Sequence, residues 1–143
     1  GGNTMDKSEL RRIILEILRE EAGGCPVKRV DLPSVRCTEA DRLDTGDPTH
    51  RVYTHDLFSL EESPRLGCGL MEMERTAFPW TLRYDEIDYI ISGRLTIRVD
   101  GREISAGPGE VLLIPRDTSI EFSAGEKTRF LYVTYPADWQ SQA

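Results

Sequence analysis

The chain has 143 residues, enough for one domain with a hydrophobic core, and its formal net charge is -7. An acidic chain is repelled by polyanions, so this charge argues against nucleic acid or an anionic membrane as the main partner. No apolar run approaches the roughly 18 residues of a membrane-spanning helix, and no signal-like segment follows a basic start. We therefore expect an intracellular protein with neither a nucleic-acid nor a membrane partner.

The cysteines indicate the redox compartment. Cys25, Cys37 and Cys68 are odd in number, and none of them forms a paired CxxC spacing. This pattern is typical of free thiols in a reducing compartment rather than of a disulfide framework or a zinc site. We expect the protein to be cytoplasmic.

The residues after Met5 predict an amphipathic helix. Between residues 6 and 22 the apolar side chains keep the spacing of one helical stripe, at Leu10, Ile13, Ile14, Ile17 and Leu18. Asp6, with Glu9 three residues later, can cap the start of this helix. Gly23 and Gly24 can end it in a left-handed turn.

The domain organisation follows from this helix. Residues 1–4 precede Met5 and are interpreted as a remnant of an expression vector. We expect a helical segment over residues 5–24 and a single domain over residues 25–143. The apolar stripe has two interpretations. It either packs on its own domain or across a dimer, or it is a docking peptide that offers its apolar face to a partner.

The stretch from residue 27 to residue 63 is strand-like but irregular. Residues 27–32 and 51–60 favour strands, and the turn-rich residues 44–48 lie between them. His50 and His55 lie five residues apart, which puts them on opposite faces of a regular strand. A metal site that uses both histidines is therefore not favoured.

From Gly67 onward the pattern becomes continuously β. Leu95, Ile97 and Val99 alternate with polar residues, and Met71 and Met73 alternate with their neighbours, Leu70 and Glu72 among them. We predict strands over residues 69–75, 86–91, 94–100, 110–114, 119–122 and 129–135. Short strands at about ten-residue spacing, with no helical period between them, predict an all-β sandwich or barrel.

Two spacings in this region resemble the motifs of cupins. Six residues separate Glu86 from Gly93, and five separate Gly109 from Pro115. The likeness sharpens in the runs FPWTL from Phe78, YDEID from Tyr84, IP at Ile114, SIEF from Ser119, FLYV from Phe130 and PADWQS from Pro136. On these residues the chain resembles the ethanolamine-utilisation EutQ family of the cupin superfamily. The resemblance implies a single jelly-roll barrel preceded by the N-terminal helix.

The resemblance also bears on metal binding. In metal-binding cupins, two histidines and a glutamate of the first motif and one histidine of the second hold a transition metal. The same spacing here gives Trp80 and Leu82, or Pro79 and Thr81, for the first pair and Ile120 for the last. None of these side chains can ligate a metal. We therefore expect no transition metal.

The family implies a role as well as a fold. It implies a protein of bacterial ethanolamine utilisation, associated with a microcompartment, with acetate kinase activity that interconverts acetyl phosphate and ADP with acetate and ATP. The N-terminal helix is similar to short peptides that direct enzymes into such shells, so shell or cargo proteins are expected partners. A homodimer is also expected, because pairing through faces or edge strands is common in cupins and covers exposed strand edges.

Strand alternation suggests the side chains of the site. If Glu86 points inward, as in cupins, Asp88 shares its face, and so does Tyr84 if the strand extends that far. Glu74 completes the catalytic candidates, and the candidates for substrate binding are Trp80, Glu121, Tyr132, Glu72 and Arg83. The alternative is that the glutamates among them, other than Glu86, are solvated positions on outward faces.

Clustered carboxylates have two uses. They raise one another's pKa and so serve as general bases, or they bind a hard cation. The sequence has no phosphate-binding loop and three lysines. A kinase would therefore need Mg²⁺ held by carboxylates such as Glu86, Asp88 or Glu74, Glu86 above all. It would also need ATP or ADP, and an arginine such as Arg83 or Arg116 on the phosphates.

Two alternatives to the kinase stay open. One is a non-catalytic, cupin-derived module that binds a small molecule or assists assembly of the microcompartment. The other is a metal-dependent cupin enzyme, which would need His50 and His55 in the pocket.

Overall fold

The computed structural model describes residues 6–21 and 25–142. It divides into two compact units, Gly1–Pro33 and Ser34–Ala143, and each is described by itself. The predicted vector remnant and the predicted helix end at Gly23 and Gly24 lie outside the described residues.

The first unit contains the predicted helix. Helix α1 spans Lys7–Glu21. The side chain of Asp6 accepts a hydrogen bond from the backbone N–H of Glu9 at 2.8 Å, which confirms the predicted cap. The strand predicted over residues 27–32 is wrong, because this stretch contains no strand and a 3₁₀ turn, Leu32–Ser34, begins at its last residue. Among the described residues, no helix is long and apolar enough to span a membrane.

The second unit contains the strands. Its described residues form β1 (Val52–Asp56), β2 (Gly67–Met73), β3 (Thr76–Leu82), β4 (Asp85–Ser92), β5 (Leu95–Val99), β6 (Arg102–Ala106), β7 (Val111–Ile114), β8 (Thr118–Ala124) and β9 (Thr128–Tyr135). They make a five-stranded sheet in the order β1-β2-β9-β4-β7 and a four-stranded sheet in the order β3-β8-β5-β6. Every pairing is antiparallel. The predicted all-β class is confirmed.

Local sequence explains where strands turn and where they stop pairing. Asp100 and Gly101 both have positive φ angles, of 50° and 73°, which is the backbone of a tight two-residue hairpin between β5 and β6. Strand β3 was not predicted, since Pro79 lies in its middle. It forms because β3 is an edge strand, where a missing N–H leaves no ladder bond unmade.

A single hydrophobic core joins the two sheets. The ring of Phe122 lies 5.4 Å from that of Phe78 in its own sheet and 6.4 Å from that of Phe130 in the other, centroid to centroid. All three rings are buried. Stacked aromatics of this size supply much of the apolar area that holds such sheets together.

The outer surfaces of the two sheets differ in chemistry. The five-stranded sheet carries an outer apolar patch on β4, β7 and β9, formed by Ile87, Tyr89, Val111, Leu113 and Tyr135, all exposed. The four-stranded sheet instead carries hydroxyl pairs, such as Thr96 with Ser105 at 2.7 Å. The outer apolar patch ends at the edge strand β7.

Leu70 departs from simple alternation. Alternation with the inward-facing Met71 would put it on the outward face of β2, yet it is fully buried. Its backbone oxygen accepts a hydrogen bond from the Cys37 thiol at 3.8 Å, because the segment that precedes β1 covers this part of the sheet.

Candidate functional site

The candidate site is built on the inward face of β4. Glu86 and Asp88 occupy alternate positions of this strand, so both side chains point between the sheets, as predicted. Glu86 is 4% exposed and Asp88 is 0% exposed. In the neighbouring strand β9, Thr134 lies opposite Glu86 and Tyr132 lies opposite Asp88. We call Glu86 and Asp88 the acid pair.

The acid pair lacks hydrogen-bond donors from the rest of the described chain. Three of its buried oxygens, Glu86 Oε2 and both carboxylate oxygens of Asp88, have no donor among the described residues. Buried carboxylates without donors are uncommon, because desolvation of the charge is not offset.

Burial sets the protonation of the pair. It raises the pKa of Glu86 to about 7. Burial, and then the charge of Glu86, raises the pKa of Asp88 well above its usual value. Two coupled carboxyls of this kind share a proton, so the pair carries less than its full charge near neutral pH.

Two tyrosines flank the acid pair, but the hydroxyl group of each makes its hydrogen bond to a residue outside the pair. Tyr132 Oη donates to Asp56 Oδ1 at 2.8 Å. Tyr84 Oη accepts from the indole N–H of Trp80 at 2.8 Å. Burial raises the pKa of both phenols, so each stays protonated at physiological pH. In this arrangement neither phenol compensates for the desolvation of the acid pair.

Gly69 allows Tyr132 to reach Asp56. Together with Asp88, these three residues lie opposite one another in a single row across four neighbouring strands of the sheet. A Cβ atom on Gly69 would lie 2.1 Å from the hydroxyl oxygen of Tyr132. The bare Cα is therefore what lets the tyrosine side chain lie across β2.

A small inner cavity lies beside Glu86. Its volume is about 10 Å³, which is room for about one water molecule. Its lining contains no lysine, arginine or histidine: it consists of Leu43, Met71, Phe78, Trp80, Tyr84, Glu86, Phe122, Tyr132 and Trp139. The inner cavity is thus mainly aromatic, with Glu86 as its acidic group.

A larger outer cleft shares one side with the inner cavity. The outer cleft has a volume of about 360 Å³, and its lining includes Arg83, Thr81 and Gln140. Trp80, Tyr84 and Trp139 line both spaces, and we call these three residues the aromatic wall. The ring of Trp139 lies 6.2 Å from that of Trp80 and 5.8 Å from that of Tyr84.

The structure brings together five of the residues proposed from sequence. Glu86, Asp88, Tyr84, Trp80 and Tyr132 all lie at or beside the inner cavity. Arg83 instead lines the outer cleft, where its guanidinium is 3.4 Å from Asp117.

Three predicted glutamates lie elsewhere. Glu72 is ion-paired with Arg129 at 2.5 Å, and Glu121 is ion-paired with Arg98 at 2.5 Å. Glu74 follows the end of β2 and lies 3.5 Å from Arg75. Alternation accounts for Glu72, because its neighbours Met71 and Met73 are the ones that point into the core.

The described residues do not bring the ligands of a metal site together at the inner cavity. His50 lies 2.7 Å from Thr45 Oγ1, and His55 lies 3.0 Å from Asp41 Oδ1. Among the described residues, no group of three histidines, cysteines, aspartates or glutamates is placed to hold a metal. Mg²⁺ keeps several waters in octahedral geometry, and the inner cavity has room for about one. The residues around Glu86 therefore do not fit a bound Mg²⁺ ion.

The sequence did not identify two residues of the site. Trp139 lies in a 3₁₀ turn, Trp139–Ser141, where no strand alternation indicates its direction. The one indication in the sequence that Trp139 belongs to the site was its place in the PADWQS run. Asp56 is the last residue of β1, and nothing in its sequence surroundings indicated a bond to Tyr132.

Comparison with known proteins gives the family. The model of the family described as ethanolamine utilisation protein EutQ matches residues 5–141. A Clostridioides difficile (strain 630) protein named acetate kinase EutQ is 48% identical over 98% of both chains. An Escherichia coli (strain K12) protein of the same name is 40% identical over 80% of this chain, and that match spans 48% of the E. coli protein. The chain therefore covers only about half of that longer relative.

Solved structures agree. The Clostridium difficile EutQ structure superposes with a TM-score of 0.81 at 58% identity, covering 82% of this chain and 86% of that one. The Schizosaccharomyces pombe Cnp3 cupin domain superposes with a TM-score of 0.58 at 18% identity, covering 76% and 73% of the two chains, which speaks for the fold alone. The chain belongs to the EutQ family of ethanolamine utilisation proteins, and its fold is that of the cupins.

Proposed function

We propose that this protein is an acetate kinase of ethanolamine utilisation. It would transfer the phosphoryl group of acetyl phosphate to ADP, and run the reverse reaction with acetate and ATP. The observation that carries the proposal is the near-full-length likeness to the C. difficile protein named acetate kinase EutQ, at 48% identity over 98% of both chains.

The outer cleft is the proposed place for the phosphates. Phosphoryl transfer depends on positioning and on positive charge near the phosphate oxygens. Arg83 supplies that charge at the outer cleft, while the lining of the inner cavity contains no cationic side chain. Mg²⁺ would arrive with the nucleotide, coordinated by its phosphates.

Glu86 is the proposed acid–base group for the carboxyl substrate. Its pKa, raised by burial to about 7, lets it exchange a proton near neutral pH. Acetate reaches Glu86 only if the aromatic wall opens, so displacement of Trp139 or its neighbours is part of the proposal.

The test is an assay of ATP formation from acetyl phosphate and ADP, with and without Mg²⁺. We expect Mg²⁺-dependent activity in the wild type and a loss of about 100-fold or more in Glu86→Gln, the range set by removal of a general acid–base group. Glu126→Gln, an exposed carboxylate in the turn between β8 and β9, is the matched control and should keep full activity. Full activity in folded Glu86→Gln would rule out the role of Glu86.

A non-catalytic module is the second candidate. The absence of lysine and arginine from the inner-cavity lining favours it, because phosphate ligands would meet only Glu86 and apolar or neutral groups there. Folded wild-type protein without activity in the assay above would support a module that binds a small molecule or assists assembly.

We also propose association with a bacterial microcompartment through α1. The helix has an apolar stripe suited to a shell or cargo protein. Deletion of residues 6–24 should leave the melting temperature nearly unchanged and abolish co-sedimentation with shells. A large fall in melting temperature would instead show that the helix packs on its own domain or across a dimer.

A homodimer is proposed through the outer apolar patch. The patch lies on three neighbouring strands and reaches the free edge of β7. A second copy of the same patch, placed by a two-fold axis, would cover both the apolar side chains and the edge.

A further inference from the structure

The acid pair needs a partner that the described chain does not provide. Its three oxygens without donors are buried, and Glu86 lines the inner cavity. Burial of a carboxylate is tolerated when hydrogen-bond donors or an opposite charge offset the lost hydration. The missing partner must therefore bring N–H or O–H donors, or positive charge, into the inner cavity.

The nearest hydroxyl groups do not provide those donors. The proton of Tyr132 goes to Asp56, and Tyr84 is bonded to Trp80 and not to Glu86. Asp56 and the acid pair thus lie on the same face of the sheet, but only Asp56 accepts a hydrogen bond from a phenol. The buried oxygens without donors therefore belong to Glu86, which lines the inner cavity, and to Asp88 on the same face of β4.

The chemistry of the inner cavity excludes two kinds of partner for the ionised acid pair. An anion would be repelled by the ionised carboxylates and would meet no cationic side chain in the lining. Mg²⁺ and Ca²⁺ need six or more oxygen ligands, which a space of about 10 Å³ with Glu86 as the one carboxyl in its lining does not supply.

A small nitrogen cation meets every requirement. An ammonium group is about the size of one water molecule and donates up to four N–H bonds. Its charge is also favoured by aromatic faces, and the lining includes the rings of Phe78, Trp80 and Phe122.

We propose that the inner cavity is a binding site for a compact ammonium group, with Glu86 accepting its N–H hydrogen bonds and the buried carboxylate of Asp88, on the same face of β4, adding to the attraction. The group is either the free ammonium ion or the head of a small primary amine. In the second case the aromatic wall must open, so that the carbon tail lies in the outer cleft behind Trp80 and Trp139. This site does not depend on the proposed kinase activity.

The experiment measures binding to the full chain. Isothermal titration and melting temperature are followed with ammonium, methylammonium, tetramethylammonium, sodium and potassium chlorides at constant ionic strength and pH 8. We expect a saturable rise in melting temperature and measurable heat for ammonium, and none for sodium, potassium or tetramethylammonium, which lacks N–H donors. ¹⁵N-labelled ammonium should also give a protein-bound N–H signal. Binding of methylammonium as well would assign the primary amine, whereas ammonium alone would assign the free ion.

Substitutions locate the site. Glu86→Gln and Asp88→Asn should each weaken binding at least tenfold, because each removes a buried negative charge and Glu86→Gln also removes the carboxylate that lines the cavity. Glu126→Gln should bind like the wild type, since its carboxylate is exposed. Both acid-pair variants remain suitable for the test, because the amides remove a desolvated charge and the melting temperature reports their folding.

Two results would overturn the site. One is an equal response of the wild type to ammonium, sodium and potassium, or no response to any of them. The other is binding of ammonium by folded Glu86→Gln and Asp88→Asn with wild-type affinity. Neither result bears on kinase activity, which is assayed separately.

Discussion

Residues 86–89 of β4 reverse the usual distribution of polar and apolar side chains between the two faces of a strand. Its inner face carries Glu86 and Asp88, both buried, and its outer face carries Ile87 and Tyr89, which are 45% and 44% exposed. In β5 the ordinary pattern holds, with Leu95 and Ile97 inside. Buried carboxylates on one face and exposed apolar side chains on the other both lower the stability of the isolated chain. This is expected where both faces of a strand bind a partner.

The largest expected effect concerns the outer face. Leu113→Glu places a carboxylate in the outer apolar patch and, in a symmetric dimer, brings it close to its own copy. We expect the dimer dissociation constant to rise about 1,000-fold, corresponding to about 4 kcal/mol. Sedimentation equilibrium of the wild type and the variant measures it.

Ile104→Glu is the matched control for this prediction. Ile104 is also an exposed apolar residue, but it lies on β6 of the four-stranded sheet. It should leave the dimer intact. A monomeric wild type at micromolar concentration would contradict the proposed interface, and so would a dimer unaffected by Leu113→Glu.

The next effect concerns the inner face and depends on pH. Because burial raises the pKa of Glu86 from 4.5 to about 7, its contribution to stability is fully present below pH 4.5 and is lost as the pH rises through 7. Glutamine cannot ionise, so Glu86→Gln should gain stability relative to the wild type between pH 5 and pH 8. The gain is on the order of 3 kcal/mol, from 1.36 kcal/mol per pKa unit.

Denaturant unfolding at several pH values measures this gain. Asp88, Tyr84 and Tyr132 also face Glu86, but the phenols stay protonated over this range because burial raises their pKa. Asp88→Asn should show the same trend, since its pKa is also raised. A stability difference between Glu86→Gln and the wild type that does not change with pH would show that Glu86 ionises without cost.

The smallest effect concerns Asp56, the carboxylate that accepts a hydrogen bond from Tyr132. Tyr132→Phe removes the 2.8 Å bond to Asp56, which is itself exposed and can be rehydrated. The expected loss of unfolding free energy is about 1 kcal/mol. A loss of several kcal/mol would show that the phenol also stabilises the acid pair.

The sequence predicted the parts of this molecule that follow strand periodicity. Alternation placed Glu86 and Asp88 on one inward face, and spacing placed the turns that follow β4 and β5. It could not place Leu70, because burial of an outward position depends on a covering segment from elsewhere in the chain. It also missed the closure of the site by Trp139, which comes from a turn after the last strand. Contacts between distant segments carry no local pattern.

The aromatic wall gives the protein a built-in optical reporter. The chain has two tryptophans, and both Trp80 and Trp139 belong to the wall. Their rings meet edge to face at 6.2 Å, and Trp80 donates its indole N–H to Tyr84. The intrinsic fluorescence of the unlabelled protein therefore arises at the boundary between the two spaces. A shift in its emission on addition of a ligand would record opening of that boundary in real time.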